Sequence, residues 1–224
     1  MKRIPDKSIN LIITDPPYLH VKGGMKSAKF NVGKMKEDSF INTEMNDFGE
    51  KEIDTFLSET KRLFKISYNG YFFCSKLQIP YYLSFALKNK LKFDVLIWDR
   101  LKNSMISCKF YASNIDYIIR IYGDKQALND VGNVEDKVAC YQKIKKYKQG
   151  IVTNHPTEKP LKLIAELILL SSKQDEVVLD PFIGSGTLAV AAIKTNRTYI
   201  GYEKDLTIYN LANSRIESCF KEVI

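Results

Sequence analysis

The stretch Val177 to Asp205, VVLDPFIGSGTLAVAAIKTNRTYIGYEKD, admits few folds. Val177, Val178 and Leu179 make a short apolar run that ends at Asp180, the pattern of a strand buried on both faces of a parallel sheet. Gly184 and Gly186 follow in a turn, where the lack of a Cβ lets the backbone bend sharply and approach a ligand closely. Thr187 to Lys194 has the alanine-rich composition of a helix, and Thr198 to Tyr202 resumes as a strand. Strand, glycine turn, helix and strand in this order form one half of a doubly wound α/β sheet.

The spacing Gly184-x-Gly186-x-x-Ala189 fits a dinucleotide fingerprint, and Glu203 lies where a carboxylate can accept hydrogen bonds from ribose hydroxyls. A tight strand-to-helix turn with no ligand has the same spacing, so a second motif is needed. Asn10 to Thr14 (NLIIT) is another short apolar strand, and it runs directly into Asp15-Pro16-Pro17-Tyr18. Two prolines fix the backbone and remove two donors. The Asp15 carboxylate, the Pro16 carbonyl and the Tyr18 ring are thereby held as a rigid group just past a strand end, the region where open α/β sheets bind ligands.

D-P-P-Y after one strand and D-P-F-x-G-S-G-T after another resemble the amino-methylating DNA methyltransferases. The order here, catalytic motif first and cofactor motif last, resembles their beta class. His155-Pro156-Thr157-Glu158-Lys159-Pro160 is similar to the segment that precedes the cofactor motif in that family. The resemblance covers most of the chain and is weakest from Asp124 to Lys148. It implies a Rossmann-like, mostly parallel sheet with helices on both faces, in a single domain spanning residues 1–224. It also implies S-adenosylmethionine as methyl donor and double-stranded DNA as substrate. Asp15, Pro16, Pro17 and Tyr18 are the catalytic group it points to. Asp180, Phe182, Gly184, Ser185, Gly186, Thr187 and Glu203 are the cofactor site, with Thr157 and Lys159 as further contacts to the cofactor carboxylate or ribose. No metal is required.

The chemistry suits these residue types. The lone pair of an exocyclic amine on adenine or cytosine is delocalised into the ring, so the nitrogen is a poor nucleophile until its N–H bonds are held out of that conjugation. Acceptors such as Asp15 and the Pro16 carbonyl can hold both hydrogens and stabilise the positive charge that develops as methyl transfers, while Tyr18 stacks on the base. The aspartate form of the motif favours adenine N6 over cytosine N4. The target amine lies inside the duplex, so the base must be extruded.

Length and charge agree with this reading. A chain of 224 residues with 45% hydrophobic content can bury one α/β core. A formal charge of +8 suits a polyanionic partner, although a generally lysine-rich proteome gives the same balance. Cys74, Cys108, Cys140 and Cys219 form no C-x-x-C pair, and with only His20 and His155 beside them they indicate neither a zinc site nor a disulfide framework. A cytoplasmic location fits best. The apolar run Leu161 to Leu170 is short and contains Glu166, so it reads as a core helix rather than a membrane span.

The rest of the chain continues the alternation. Met1 to Ile9 is polar and enters the first strand abruptly; by the resemblance it looks like the tail of a longer N-terminal unit carrying an acidic residue for the cofactor's adenine. Residues 19–50 lack a sustained period and predict a mobile loop beside the catalytic motif. Lys22, Lys26, Lys29, Lys34 and Lys36 there either contact phosphates or are simply solvated. A helical stripe predicts a helix over Glu52 to Lys65. Tyr71 to Cys74 reads as a buried strand, Pro80 to Lys90 as a helix, Phe93 to Trp98 and Ser113 to Tyr122 as strands that include an antiparallel pair. Tyr81, Tyr82 and Trp98 read as core or sheet-flank aromatics. Residues 124–149, with Lys143, Lys145, Lys146 and Lys148 near Tyr141 and Tyr147, remain a candidate target-recognition segment. Pairing of two chains and a cognate restriction endonuclease are further expectations. The competing readings are cytosine N4 methylation, an N-terminally shortened DNA-binding remnant, and an NAD-type oxidoreductase, for which the D-P-P-Y group has no role.

Overall fold

The computed structural model describes residues 1–18, 48–99, 115–130, 140–141 and 158–223. Its elements run β1 (Leu11–Thr14), α1 (Glu50–Lys61), β2 (Asn69–Cys74), α2 (Ile79–Lys88), β3 (Lys92–Asp99), β4 (Ile115–Tyr122), β5 (Cys140–Tyr141), α3 (Leu161–Ser171), β6 (Val177–Asp180), α4 (Thr187–Lys194), β7 (Thr198–Gly201) and α5 (Leu206–Val223). The strands form one seven-stranded sheet in the order β5-β3-β4-β2-β1-β6-β7. Neighbours pair in parallel except where β4 lies antiparallel between β2 and β3. This is the mostly parallel α/β sheet expected from the motifs.

Alternation along the strands divides the core into two layers. On one face Ile12, Phe72, Ile119 and Leu179 pack with Ile53, Phe56 and Leu57 of α1 and with Tyr82 and Phe85 of α2. On the other face Leu11, Ile13, Tyr71, Phe73 and Val178 meet Leu163, Leu167 and Ile168 of α3 and Leu188 and Ala191 of α4. Helices thus cover both faces, which is why β1 and β2 are buried along their whole length. Tyr82 and Trp98 are fully buried, in agreement with a core role. Cys74 and Cys219 are buried free thiols.

Two boundaries differ from the sequence reading. Helix α1 stops at Lys61 rather than near Lys65, because the chain turns there into extended pairing with the segment before β1: Ile9 N–H donates to Leu63 O and Lys65 N–H to Ile9 O. Arg62 reinforces the turn by donating to the carbonyls of Met1 and Ile4 and pairing with Asp6 and Glu59. The expected loop at 19–50 ends earlier, since the Phe48 ring packs edge-on against Phe56 and Phe182, and Gly49 N–H is capped by Glu52. Residues 19–47 themselves, with Lys22 to Lys36, lie outside the described residues, as do His20, Cys108, Lys143 to Lys148, His155 and Thr157.

The connections locate the site. β1 leads through α1 to β2 on one side of it, whereas β6 leads through α4 to β7 on the other side. Adjacent parallel strands whose crossovers depart in opposite directions leave a crevice at their carboxyl ends. The adjacent strands are β1 and β6, and the residues at that crevice are Asp15 and Asp180.

Candidate active site

The two motif strands are joined at their carboxyl ends by side chains. Thr14 Oγ1 donates to Asp180 Oδ1 at 2.6 Å, and the same oxygen accepts Phe182 N–H at 3.0 Å. Asp180 is buried, and burial pushes its carboxyl up to about 7 against the opposing pull of those two hydrogen bonds. It therefore ties β6 to β1 and shapes the turn that follows.

That turn takes the conformation glycine permits. Gly184 has φ +50° and Gly186 φ +80°, both in the left-handed region. At Gly186 a Cβ would also come within 3.2 Å of the Ala212 Cβ on α5, so packing adds a close contact to the demand of the dihedral. Phe182 is held among Phe48 and Phe56 at centroid distances of 5.8 and 5.7 Å. Glu203, just past β7, closes the turn from the other side. Its Oε2 accepts Gly184 N–H at 3.2 Å, and its Oε1 accepts the amides of Lys204 and Asp205.

Past β1, Asp15 is half-buried and Pro16 buried. Gln78, buried at the start of α2, fixes this segment: its Nε2 donates to Pro17 O at 3.0 Å and Phe48 O at 2.9 Å, while its Oε1 accepts from Ser75. Asp15 Oδ2 makes a short ion pair with Lys159 Nζ, and Lys159 also lies 5.8 Å from the Tyr18 ring centroid and 5.1 Å from that of Phe73. Asp15 Oδ1 and the Tyr18 hydroxyl are both buried. Native structures leave few buried polar atoms unpaired, because each costs about 1–3 kcal/mol. The Asp15 carboxylate and the Tyr18 phenol instead meet each other just past the end of β1. Burial, and after it the charges of Asp15 and Asp116 and a hydrogen bond to the Asp15 carboxylate, hold the Tyr18 phenol well above its ordinary value, so it stays neutral. The neighbouring Cys74 thiol is pushed up to about 12, chiefly by burial, so it is no nucleophile at neutral pH.

The structure thus brings together Asp15, Pro16, Pro17, Tyr18, Lys159, Asp180, Phe182, Gly184, Gly186 and Glu203. Ser185 and Thr187 share the turn, but their side chains are committed elsewhere: Arg215 of α5 donates to Ser185 O, Ser185 Oγ and Thr187 Oγ1 at 3.0–3.3 Å. Arg215 also forms a buried ion pair with Glu158 at 2.8 Å. Sequence reasoning singled out neither Gln78 nor Arg215, and it quoted Glu158 only as part of a motif. Each is a polar residue whose role depends on a long-range contact.

A donor with amino and hydroxyl groups fits what is present. Carboxylates stand at the ends of β6 and β7, separated by a glycine turn. Among the described residues there is no His/Cys/Asp/Glu group able to hold a metal ion.

Comparison with known proteins agrees with the geometry. The family model described as DNA methylase matches residues 9–214. The Type II methyltransferase M2.MboI of Moraxella bovis is 27% identical over 244 residues, covering 96% of this chain and 83% of its own length. The DNA adenine methyltransferase YhdJ of Escherichia coli K12 is 26% identical, covering 91% of this chain and 74% of its own. The solved M1.HpyAVI–SAM complex superposes with a TM-score of 0.64 at 22% identity, covering 93% of this chain and 89% of that one. With β1 and β6 meeting at the switch point and the family match extending over both, this chain belongs to the DNA methylase family of amino-methylating DNA methyltransferases.

Proposed function

We propose that the chain methylates the exocyclic N6 amine of adenine in double-stranded DNA at a specific site, using S-adenosylmethionine as donor. One observation carries the assignment of residues: at the switch point Asp15 keeps one carboxylate oxygen on Lys159 and its carboxylate beside the Tyr18 phenol. A carboxylate held in this way suits an N–H of a base amine that lies against the Tyr18 ring.

The donor supplies an electrophilic methyl on a sulfonium, so the protein's task is alignment and charge stabilisation. Gly184 and Gly186 let main chain approach the donor, Asp180 shapes the turn that receives it, Glu203 offers an acceptor, and Phe182 lines the turn. Ser185 and Thr187 contribute through the turn's backbone, since their side chains are held by Arg215. Asp15 Oδ1 and the Pro16 carbonyl accept the two amine hydrogens. As the N–C bond forms and the S–C bond breaks, the nitrogen becomes cationic and then releases a proton to solvent through Asp15. Lys159, on Oδ2, fixes the carboxylate so that Oδ1 points at the amine. Tyr18 offers its ring face to the extruded base, with its hydroxyl end buried. Thr157 completes the cofactor site in this reading.

We read residues 1–224 as one methyltransferase domain with target recognition in residues 124–149, acting as one of two paired chains and alongside a restriction endonuclease. The name of the YhdJ relative, a DNA adenine methyltransferase, supports adenine as the base. The test is transfer of labelled methyl from the donor to duplex DNA, followed by digestion to nucleosides. Label in N6-methyladenine is expected. Label in N4-methylcytosine would reassign the base, and no label in DNA would overturn the proposal.

A further inference from the structure

Arg215 joins three segments that are far apart in the chain. It sits on α5, its side chain is 9% exposed, and it donates to the Ser185 carbonyl and hydroxyl and to the Thr187 hydroxyl in the glycine turn. Those contacts use Nη1, and its Nη2 pairs at 2.8 Å with Glu158, whose side chain is 1% exposed. The next residue, Lys159, is the one that holds Asp15 Oδ2. Pro160 follows and caps α3 at φ −60°, so the three-residue segment 158–160 is pinned at both ends of Lys159.

Burying a charge pair gains little stability over a well-packed apolar pair of the same size, because desolvation offsets the attraction. What such a pair does supply is a fixed direction, since a planar guanidinium presents its donors in a rigid fork. Here the fork fixes the distance between the turn that holds the donor and the segment that aims Asp15. Methyl transfer in line requires donor and acceptor to be aligned within a fraction of an ångström, and a displacement of about 1 Å can cost roughly a hundredfold in rate.

We propose that Glu158 and Arg215 are positioning residues for methyl transfer, coupling the glycine turn to Asp15 through Lys159. The inference rests on the functional reading above and adds two residues beyond those assigned there to base and donor.

The test uses a volume-matched apolar pair, Glu158→Leu with Arg215→Met, which removes both charges of the ion pair together. It is made with and without Lys159→Met, and Glu158→Gln is made as the conservative variant that still offers Arg215 an acceptor. Unfolding, donor affinity by calorimetry, and single-turnover methyl transfer are measured on each. The expected result is a folded apolar-pair variant whose transfer rate falls at least about tenfold, more than its donor affinity does, with Glu158→Gln within about threefold of wild type. In the Lys159→Met background the apolar pair should cost less than about twofold further, because residues that act through one another are not additive. A folded variant with wild-type rate would overturn the inference, as would costs that multiply independently of Lys159. If wild type itself transfers no methyl, the functional reading fails and this inference fails with it. A transferring wild type with additive variants removes the inference alone.

Discussion

At the residue scale the site is built around unequal treatment of two carboxylates. Asp15 is half-buried, salt-bridged to Lys159 and beside the Tyr18 phenol, whereas Asp180 is enclosed and committed to Thr14 and Phe182. Asp15→Ala should therefore lower methyl transfer about a hundredfold to a thousandfold, as loss of a charge-stabilising group does, with donor affinity by calorimetry close to wild type. Equal losses of rate and affinity would place Asp15 in the donor site. Asp180 has a different signature. Its folded value, about 7, lies above the free value of 3.8, so the folded chain binds more protons than the unfolded chain between those limits. Its contribution to stability is thus greatest below about pH 4, is lost as pH rises toward 7, and is constant above, by at most about 1.4 kcal/mol per unit. Asp180→Asn should flatten that part of the curve of stability against pH, measured by denaturant titration. An unchanged slope would show that the carboxyl titrates normally. Both aspartates were legible in the sequence because a short apolar strand points at each. Gln78, Glu158 and Arg215 were not, since nothing local distinguishes a clamping polar residue from a solvated one until the fold closes over it.

At the element scale, β-α alternation was readable from hydrophobic runs, and β1, β2, β6, α3 and α4 fall where those runs predict. The insertion of β4 between β2 and β3 was not readable, because strand order is a matter of pairing rather than of local pattern. Helix α5 escaped for a related reason: its apolar positions are split between a buried set, Ala212, Ile216 and Cys219, and exposed Leu206, Tyr209, Leu211 and Phe220, which blurs the helical stripe. That helix also explains why the glycine turn is intolerant. Gly186→Val should strain the left-handed backbone and push against Ala212, destabilising by about 1–3 kcal/mol and removing donor binding at temperatures where the variant is folded. Gly201 is tighter still, since an added Cβ there would overlap the Ile183 Cδ1. Calorimetry and thermal melts on Gly186→Val together separate the two effects; unchanged affinity in a folded variant would make the turn purely structural.

At the scale of the whole molecule, the sheet supplies a rigid crevice and the polyanionic substrate demands a positive surface. The chain carries 34 Lys and Arg against 26 Asp and Glu. DNA affinity should therefore fall steeply with salt. Neutralising lysines that bind phosphate, in Lys22–Lys36 or Lys143–Lys148, should reduce the slope of log affinity against log salt by about 0.9 for each phosphate that is no longer paired. Slopes unchanged in neutralised variants of both clusters would place the DNA elsewhere. The central claim is that β1 and β6 meet to form one methyl-transfer site with Asp15 as the amine's acceptor. The most direct test is single-turnover transfer of labelled methyl to duplex DNA by wild type and Asp15→Ala, at donor concentrations that saturate both, with the product nucleoside identified. The account predicts labelled N6-methyladenine from wild type and transfer by the variant that is slower by about a hundredfold or more. Equal rates from the two proteins would contradict it.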